Sequence, residues 1–235
     1  MPPILWGLLA ASLLNLDRQS FGHNMLARPL ATGFLIGWAT AQPQAGLTLG
    51  LWAELLWLAR PPLGGFIVPN GGLAVSAALL AWGLAASPAT GPDAALAAGR
   101  PTPGSLTLLF AAVPPLAHLA VNVERLARAR STRMVARLEA ELLEGASPPL
   151  LWYNLRGLLV TLAASLVFLA VSAAALAGLL KLAEAGLPAA AWAALAKFEP
   201  FAPLAGLTVL AENLHGRRLL AFAALMTACC VFQAL

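Results

Sequence analysis

Apolar runs alternate with short polar breaks along this chain, and the runs come in two lengths. A helix that crosses the hydrocarbon of a bilayer needs about 20 apolar residues. Residues 3 to 16, 29 to 41 and 45 to 59 all fall short of that, ending at Asp17-Arg18, at Gln42-Pro43-Gln44 and at Arg60-Pro61-Pro62. Half-length helices of this kind belong to broken or re-entrant segments, whose free backbone groups face protein or a cavity rather than lipid. Residues 64 to 87 contain a Pro69-Asn70-Gly71-Gly72 break followed by a good helical run, and residues 87 to 104 are rich in Pro and Gly and read as a polar loop. From 105 to 121 the chain is apolar again with a Pro114-Pro115 kink, and residues 122 to 147 keep a helical pattern but become strongly charged. The remainder, 148 to 235, divides into apolar segments at 150 to 182, 185 to 196, 200 to 214 and 217 to 235. The pattern predicts an all-α polytopic membrane protein that mixes full transmembrane helices with short broken or re-entrant ones, in one domain over 1 to 235. Residues 1 to 86 form its broken-helix region.

Composition supports the bilayer as solvent. Hydrophobic residues make up 60% of the chain, charged residues 10%, and the mean hydropathy is +0.80, whereas a soluble chain carries about a quarter charged residues. The formal charge of +4 is concentrated in arginines. Arg125, Arg128, Arg130, Arg133 and Arg137 share one short connector, which the positive-inside rule places in the cytoplasm, as a helix touching headgroups or as a docking surface for a soluble partner. This clustering does not make the broad basic face that nucleic acid requires. The N-terminus lacks the basic region of a signal peptide and is expected to be retained in the membrane. Cys229 and Cys230 are adjacent, which argues against a structural disulfide between them. The segment PLAGLTVLAEN, with Glu212, echoes GLTLGLWAELL, but Leu/Ala-rich chains produce such echoes by chance.

Few residues remain that could carry chemistry. No nucleophile with an adjacent base, no phosphate-binding glycine loop and no metal-spaced His/Cys/Asp set stands out, so the expectation is a protein that binds and moves a solute, with no catalytic residue, metal or cofactor. Gly46, Gly50 and Glu54 recur at every fourth position and would stack on one helix face. The glycines alone fit close helix packing. A carboxylate at membrane depth costs several kcal/mol and persists where a cavity, partner or substrate offsets that cost. Glu54 is therefore either a ligand contact, suited to the hydroxyls of a sugar, or half of an ion pair with Arg28 or Arg60. Asp17 is a second candidate, with an ion pair to Arg18 or Arg28 as its structural alternative. Arg28-Pro29 reads as a helix start with an arginine reaching headgroups. Of the three histidines only His23 lies near these residues; His118 and His215 match no motif, and Asn154 and Arg156 open a later span at the interface.

The stretch LDRQSFGHNMLARPLATGFLIGWATAQPQAGLTLGLWAELLWLARPPLGGFIVPNGGLA resembles the N-terminal half of the enzyme IIC component of mannose/fructose/sorbose-type sugar phosphotransferase systems. The residues that carry the resemblance are Leu16-Asp17, Arg28-Pro29-Leu30, Gly37, Gly46, Gly50, Glu54, Gly64 and Pro69, and the charged connector falls where that family has its cytoplasmic one. Beyond about residue 145 the likeness is mainly one of hydropathy. Asn70 stands where the family usually carries Asp, and His23 where many relatives have Gln. The resemblance implies a bacterial inner-membrane permease subunit, paired with a IID membrane subunit and served by soluble IIA and IIB phosphocarriers, with an elevator-like movement of its substrate-bearing part. It implies sugar contacts by Glu54, Asn70, His23 and Asp17, and helix-packing roles for Arg28, Pro29, Gly46, Gly50, Gly64 and Pro69. The competing reading is a membrane carrier for another small molecule unconnected to phosphotransfer; an intramembrane enzyme is the weaker third.

Overall fold

The computed structural model describes residues 2–18, 24–58, 67–85, 101–145, 149–204, 216–218 and 221–222. His23, Gly64, Arg60, Glu212 and His215 lie outside them. Among the described residues all regular structure is helical: α1 Pro2–Leu16, α2 Pro29–Ala39, α3 Pro43–Trp57, α4 Gly71–Ala85, α5 Pro103–Leu143, α6 Leu150–Gly186 and α7 Ala189–Phe198, with a 3-10 turn at Glu199–Phe201. The expected all-α membrane architecture is therefore present. Among the described residues two helices, α5 and α6, are long and apolar enough to cross a bilayer, and the other apolar helices are shorter.

Helix α4 is the centre of the molecule. It is apolar on every side, as a buried helix should be, and nearly every residue from Gly71 to Ala85 is shielded. It packs on α1, α2, α3, α5 and α6. The long helices present small residues inward, with Ala117 and Ala120 on α5 and Ser165, Ser172, Ala173 and Ala177 on α6, all buried. Their large side chains Leu119, Leu155, Leu159, Val167, Val171 and Leu179 face outward. Leu109, Val113, Leu169 and Leu180 on the same helices are buried as well, so the interface mixes small and large side chains, while the outward Leu and Val suit a lipid solvent. Pro114 and Pro115 lie within α5, which continues through them. His118 Nδ1 sits 2.8 Å from the Pro114 carbonyl, a local contact with no site around it.

Helices α2 and α3 form a tight hairpin. The break that Gln42-Pro43 marks in the sequence is a closed turn: Ala41 N–H donates to the Trp38 carbonyl at 3.2 Å and Gln42 N–H to the Gly37 carbonyl at 2.6 Å, a Schellman-type cap. Ala41 occupies the left-handed position with φ of 61°, normally taken by glycine because a Cβ there crowds the next carbonyl. Ala41→Gly is expected to raise the unfolding temperature in detergent, relieving about 1 kcal/mol; a lowered temperature would argue against this turn.

The hairpin closes by backbone contact. A Cβ built on Gly33 would collide with the Gly46 carbonyl oxygen and lie 2.9 Å from Gly50 Cα, and one on Gly37 would lie 2.9 Å from Gly46 Cα. Gly50 faces the Pro29 carbonyl oxygen in the same way, at 2.7 Å. The small-residue face at Gly46 and Gly50 is thus met by a matching one at Gly33 and Gly37 on α2.

Candidate functional site

The residues singled out in the sequence converge where five elements meet. These are the end of α1, the start of α2, the end of α3, the start of α4 and the middle of α5. A Cβ on Gly71 would lie 2.6 Å from Pro29 Cγ and 2.7 Å from the Trp57 ring, and one on Gly72 would collide with the Ala27 carbonyl oxygen. The Arg28-Pro29 corner, the end of α3 and the Pro69-Asn70 turn are therefore in direct contact.

Glu54 lies on the last turns of α3 and reaches across the hairpin mouth. Its Oε1 accepts from Arg28 Nη1 at 2.6 Å, and its Oε2 from Leu30 N–H at 3.3 Å. The Glu54 side chain is 15% exposed and that of Arg28 49% exposed. Of the two readings the sequence allowed, the ion pair with Arg28 is present. It does not exhaust the carboxylate, which has about four lone-pair directions.

Asp17, one residue past the end of α1, meets the backbone that precedes α2. Its Oδ1 accepts from the Asn24 N–H at 2.8 Å and its Oδ2 from the Leu26 N–H at 2.8 Å, so both oxygens are occupied by backbone. Burial by itself would raise its pKa, but the bonds from Asn24, Leu26 and Ala27 prevail and hold the carboxyl below the ordinary value. Its neighbour Arg18 turns the other way, donating to the Val68 carbonyl at 2.5 Å and pairing with Glu124.

Asn70 starts α4. Its Oδ1 accepts from Leu73 N–H at 3.1 Å, the hydrogen bond of a helix N-cap. Its Nδ2 donates to Asn15 Oδ1 at 2.8 Å and lies 3.5 Å from Glu124 Oε1, while its own N–H reaches the Ala117 carbonyl at 3.0 Å. Asn15 in turn donates to Ser165 Oγ at 2.8 Å, and Ser165 to the Thr161 carbonyl at 2.8 Å. The result is a buried polar chain from Arg18 through Glu124, Asn70 and Asn15 to Ser165, linking α1, α4, α5 and α6. Arg128 adds a longer pairing to Glu124 at 3.9 Å. Every side chain of this chain is buried except Arg18, which is 23% exposed.

Sequence reasoning overlooked Asn15, Glu124 and Ser165, and it set Arg18 against Asp17, whereas Arg18 pairs with Glu124. Glu124 had been placed in the charged connector leaving the membrane. A signal for it does exist: Val113, Ala117, Ala120, Glu124 and Ala127 recur at steps of three and four and are all buried, so Glu124 sits on the inward stripe of α5. Asn15 had been counted into an apolar run, and Ser165 carries no mark in the sequence beyond its spacing on α6.

The family model for "PTS system sorbose-specific IIC component" matches residues 3–233. The chain belongs to this family. No curated protein matches it. Membership makes the chain a membrane permease subunit of a sugar phosphotransferase system, a translocation subunit that works within a complex of other system components. The match runs past residue 145, so the C-terminal half, similar mainly in hydropathy at the level of motifs, belongs to the same family unit. In this IIC chain the acidic group beside Pro69-Asn70 is supplied by α5, through Glu124.

Proposed function

We infer that this IIC subunit binds a hexose-type sugar at the mouth of the α2–α3 hairpin and carries it across a bacterial plasma membrane. A soluble IIB partner phosphorylates the sugar on the far side, and a IID subunit completes the membrane complex. One observation carries this reading: Glu54, the acidic residue of the hairpin, is oriented by Arg28 and the Leu30 N–H, and these bonds, the ones it makes among the described residues, leave acceptor directions at a partly open surface. Charge-assisted hydrogen bonds from sugar hydroxyls fit such a group.

The other site residues take supporting parts in this proposal. Asp17 binds the N–H of Asn24, the residue after His23, and in this proposal supports the segment from which His23 would meet a hydroxyl. Asn70, fully buried, caps α4 and holds the polar chain behind the site. A hairpin that packs by backbone contact can move as one body, the behaviour expected of an elevator-like carrier. The Arg-rich connector at 125–137 faces the cytoplasm in this arrangement, where the soluble phosphocarriers are.

The test is transport. Vesicles holding this chain with its IID partner, supplied with phosphoenolpyruvate and the soluble phosphocarriers, are expected to accumulate sugar phosphate. Vesicles without IIB are expected to accumulate none. Uptake of free sugar independent of phosphoenolpyruvate would favour the competing carrier that is unconnected to phosphotransfer.

A further inference from the structure

Away from the hairpin, a cleft of about 380 Å³ opens between α5 and α6, lined by Arg130, Arg133, Met134 and Arg137 on one side and Arg156, Leu159 and Val160 on the other. The spacing on both helices is three and four residues, so one face of each is turned into the cleft. The four arginines are exposed, and among the described residues none of them is within ion-pair distance of a carboxylate. Glu141, on the same turn of the bundle, accepts from the Tyr153 hydroxyl at 2.5 Å and does not line the cleft. Gly157 leaves the space between the helices open: a Cβ there would only touch Met134 Cε at 4.0 Å.

The geometry points to a binding site for the headgroup of an anionic phospholipid. Two observations and one general rule favour a lipid over a soluble anion. The floor of the cleft is apolar, made of Met134, Leu159 and Val160, and Leu159 continues the outward stripe of Leu151, Leu155 and Val167 along α6. An acyl chain can follow that stripe while its phosphate meets the guanidiniums. Trp152, 48% exposed, lies under Arg156 with the guanidinium 5.2 Å from the ring centroid, an aromatic and arginine pair of the sort found at the headgroup level. Finally, basic clefts between transmembrane helices bind anionic headgroups, each arginine near the surface contributing about 1 kcal/mol, or about fivefold in affinity.

The experiment titrates short-chain phosphatidylglycerol, phosphatidylcholine and inorganic phosphate separately into the full chain in an uncharged detergent, counting bound molecules by native mass spectrometry. Phosphatidylglycerol is expected to bind saturably and phosphatidylcholine far more weakly, with inorganic phosphate failing to compete at equal concentration. Arg133→Ala combined with Arg137→Ala should weaken phosphatidylglycerol about 25-fold. Arg125→Ala, exposed and outside the cleft, should leave it unchanged, which also separates a local effect from general loss of charge. The proposal is overturned if the double variant binds lipid like the parent, if phosphatidylcholine binds as tightly as phosphatidylglycerol, or if inorganic phosphate displaces the lipid at equal concentration.

Discussion

Asn70→Asp is expected to destabilise the folded chain by about 3 to 5 kcal/mol, although it exchanges only one nitrogen for an oxygen. Asn70 is fully buried and its Nδ2 is a donor to Asn15 and to Glu124. A carboxylate keeps the cap on Leu73 N–H but donates nothing, and it places a second negative charge at the 3.5 Å position beside Glu124, where water is excluded. Arg18 and Arg128, the cations paired with Glu124, are already engaged. Because repulsion and burial raise the folded-state pKa of the new carboxyl above its unfolded value of about 3.9, the destabilisation is absent well below that pH. It grows as pH rises toward the folded-state value. Thermal unfolding in detergent should therefore show a deficit of roughly 10 °C near neutral pH, smaller in acid. Parental stability at neutral pH would show that Nδ2 of Asn70 does not bridge to Asn15 and Glu124.

The second large effect is expected at the hairpin. Gly46→Ala adds one methyl group, but that carbon would collide with the Gly33 carbonyl oxygen and lie 2.8 Å from Gly37 Cα. Both are backbone atoms of a helix and cannot rotate away, so α2 and α3 must separate. The expected cost is about 3 kcal/mol, along with loss of the Arg28–Glu54 contact that spans the hairpin mouth. Gly178→Ala provides the comparison, since a Cβ on that residue of α6 meets nothing within 4 Å. The better helix propensity of alanine makes this change neutral or slightly stabilising, by up to about 1 kcal/mol. Gly46→Ala should unfold at a clearly lower temperature than the parent and Gly178→Ala at the same or a slightly higher one; equal behaviour of the two would mean that α2 and α3 do not pack backbone to backbone.

How much of this was legible in the sequence depends on the kind of signal. Helix positions followed from apolar run length and from Pro: the half-length runs at 29 to 41 and 45 to 59 are α2 and α3, and the break at Gln42-Pro43 is their turn. The glycine face at Gly46 and Gly50 was readable because period four on a helix is a local property, whereas its partners Gly33 and Gly37 required knowing which helix lies opposite. The long apolar run from 150 was expected to end near 182 and continues to Gly186, since Lys181 and Glu184 are tolerated at an exposed helix end. The charged stretch from 122 was expected to leave the membrane region at once, but its first turns, through Val123, Glu124 and Ala127, remain in the core. There the count of charges outweighed their phase. Glu124 alone points inward while Arg125 and Arg130 point out, and only the helical period separates them. Asn15, Asn70, Glu124 and Ser165 come together from distant parts of the chain, and no local pattern encodes that meeting.

In the proposed transport function Glu54 is the carboxylate that a sugar meets. The most direct measurement is hexose binding, by isothermal titration, to the purified complex of this IIC chain with its IID partner, comparing the parent with Glu54→Gln. The amide can keep a hydrogen bond to Arg28 and cannot offer charged acceptors to hydroxyls, so affinity is expected to fall about tenfold or more while the unfolding temperature changes little. Unchanged hexose affinity in a folded Glu54→Gln complex would contradict the assignment, leaving Glu54 as no more than the partner of Arg28.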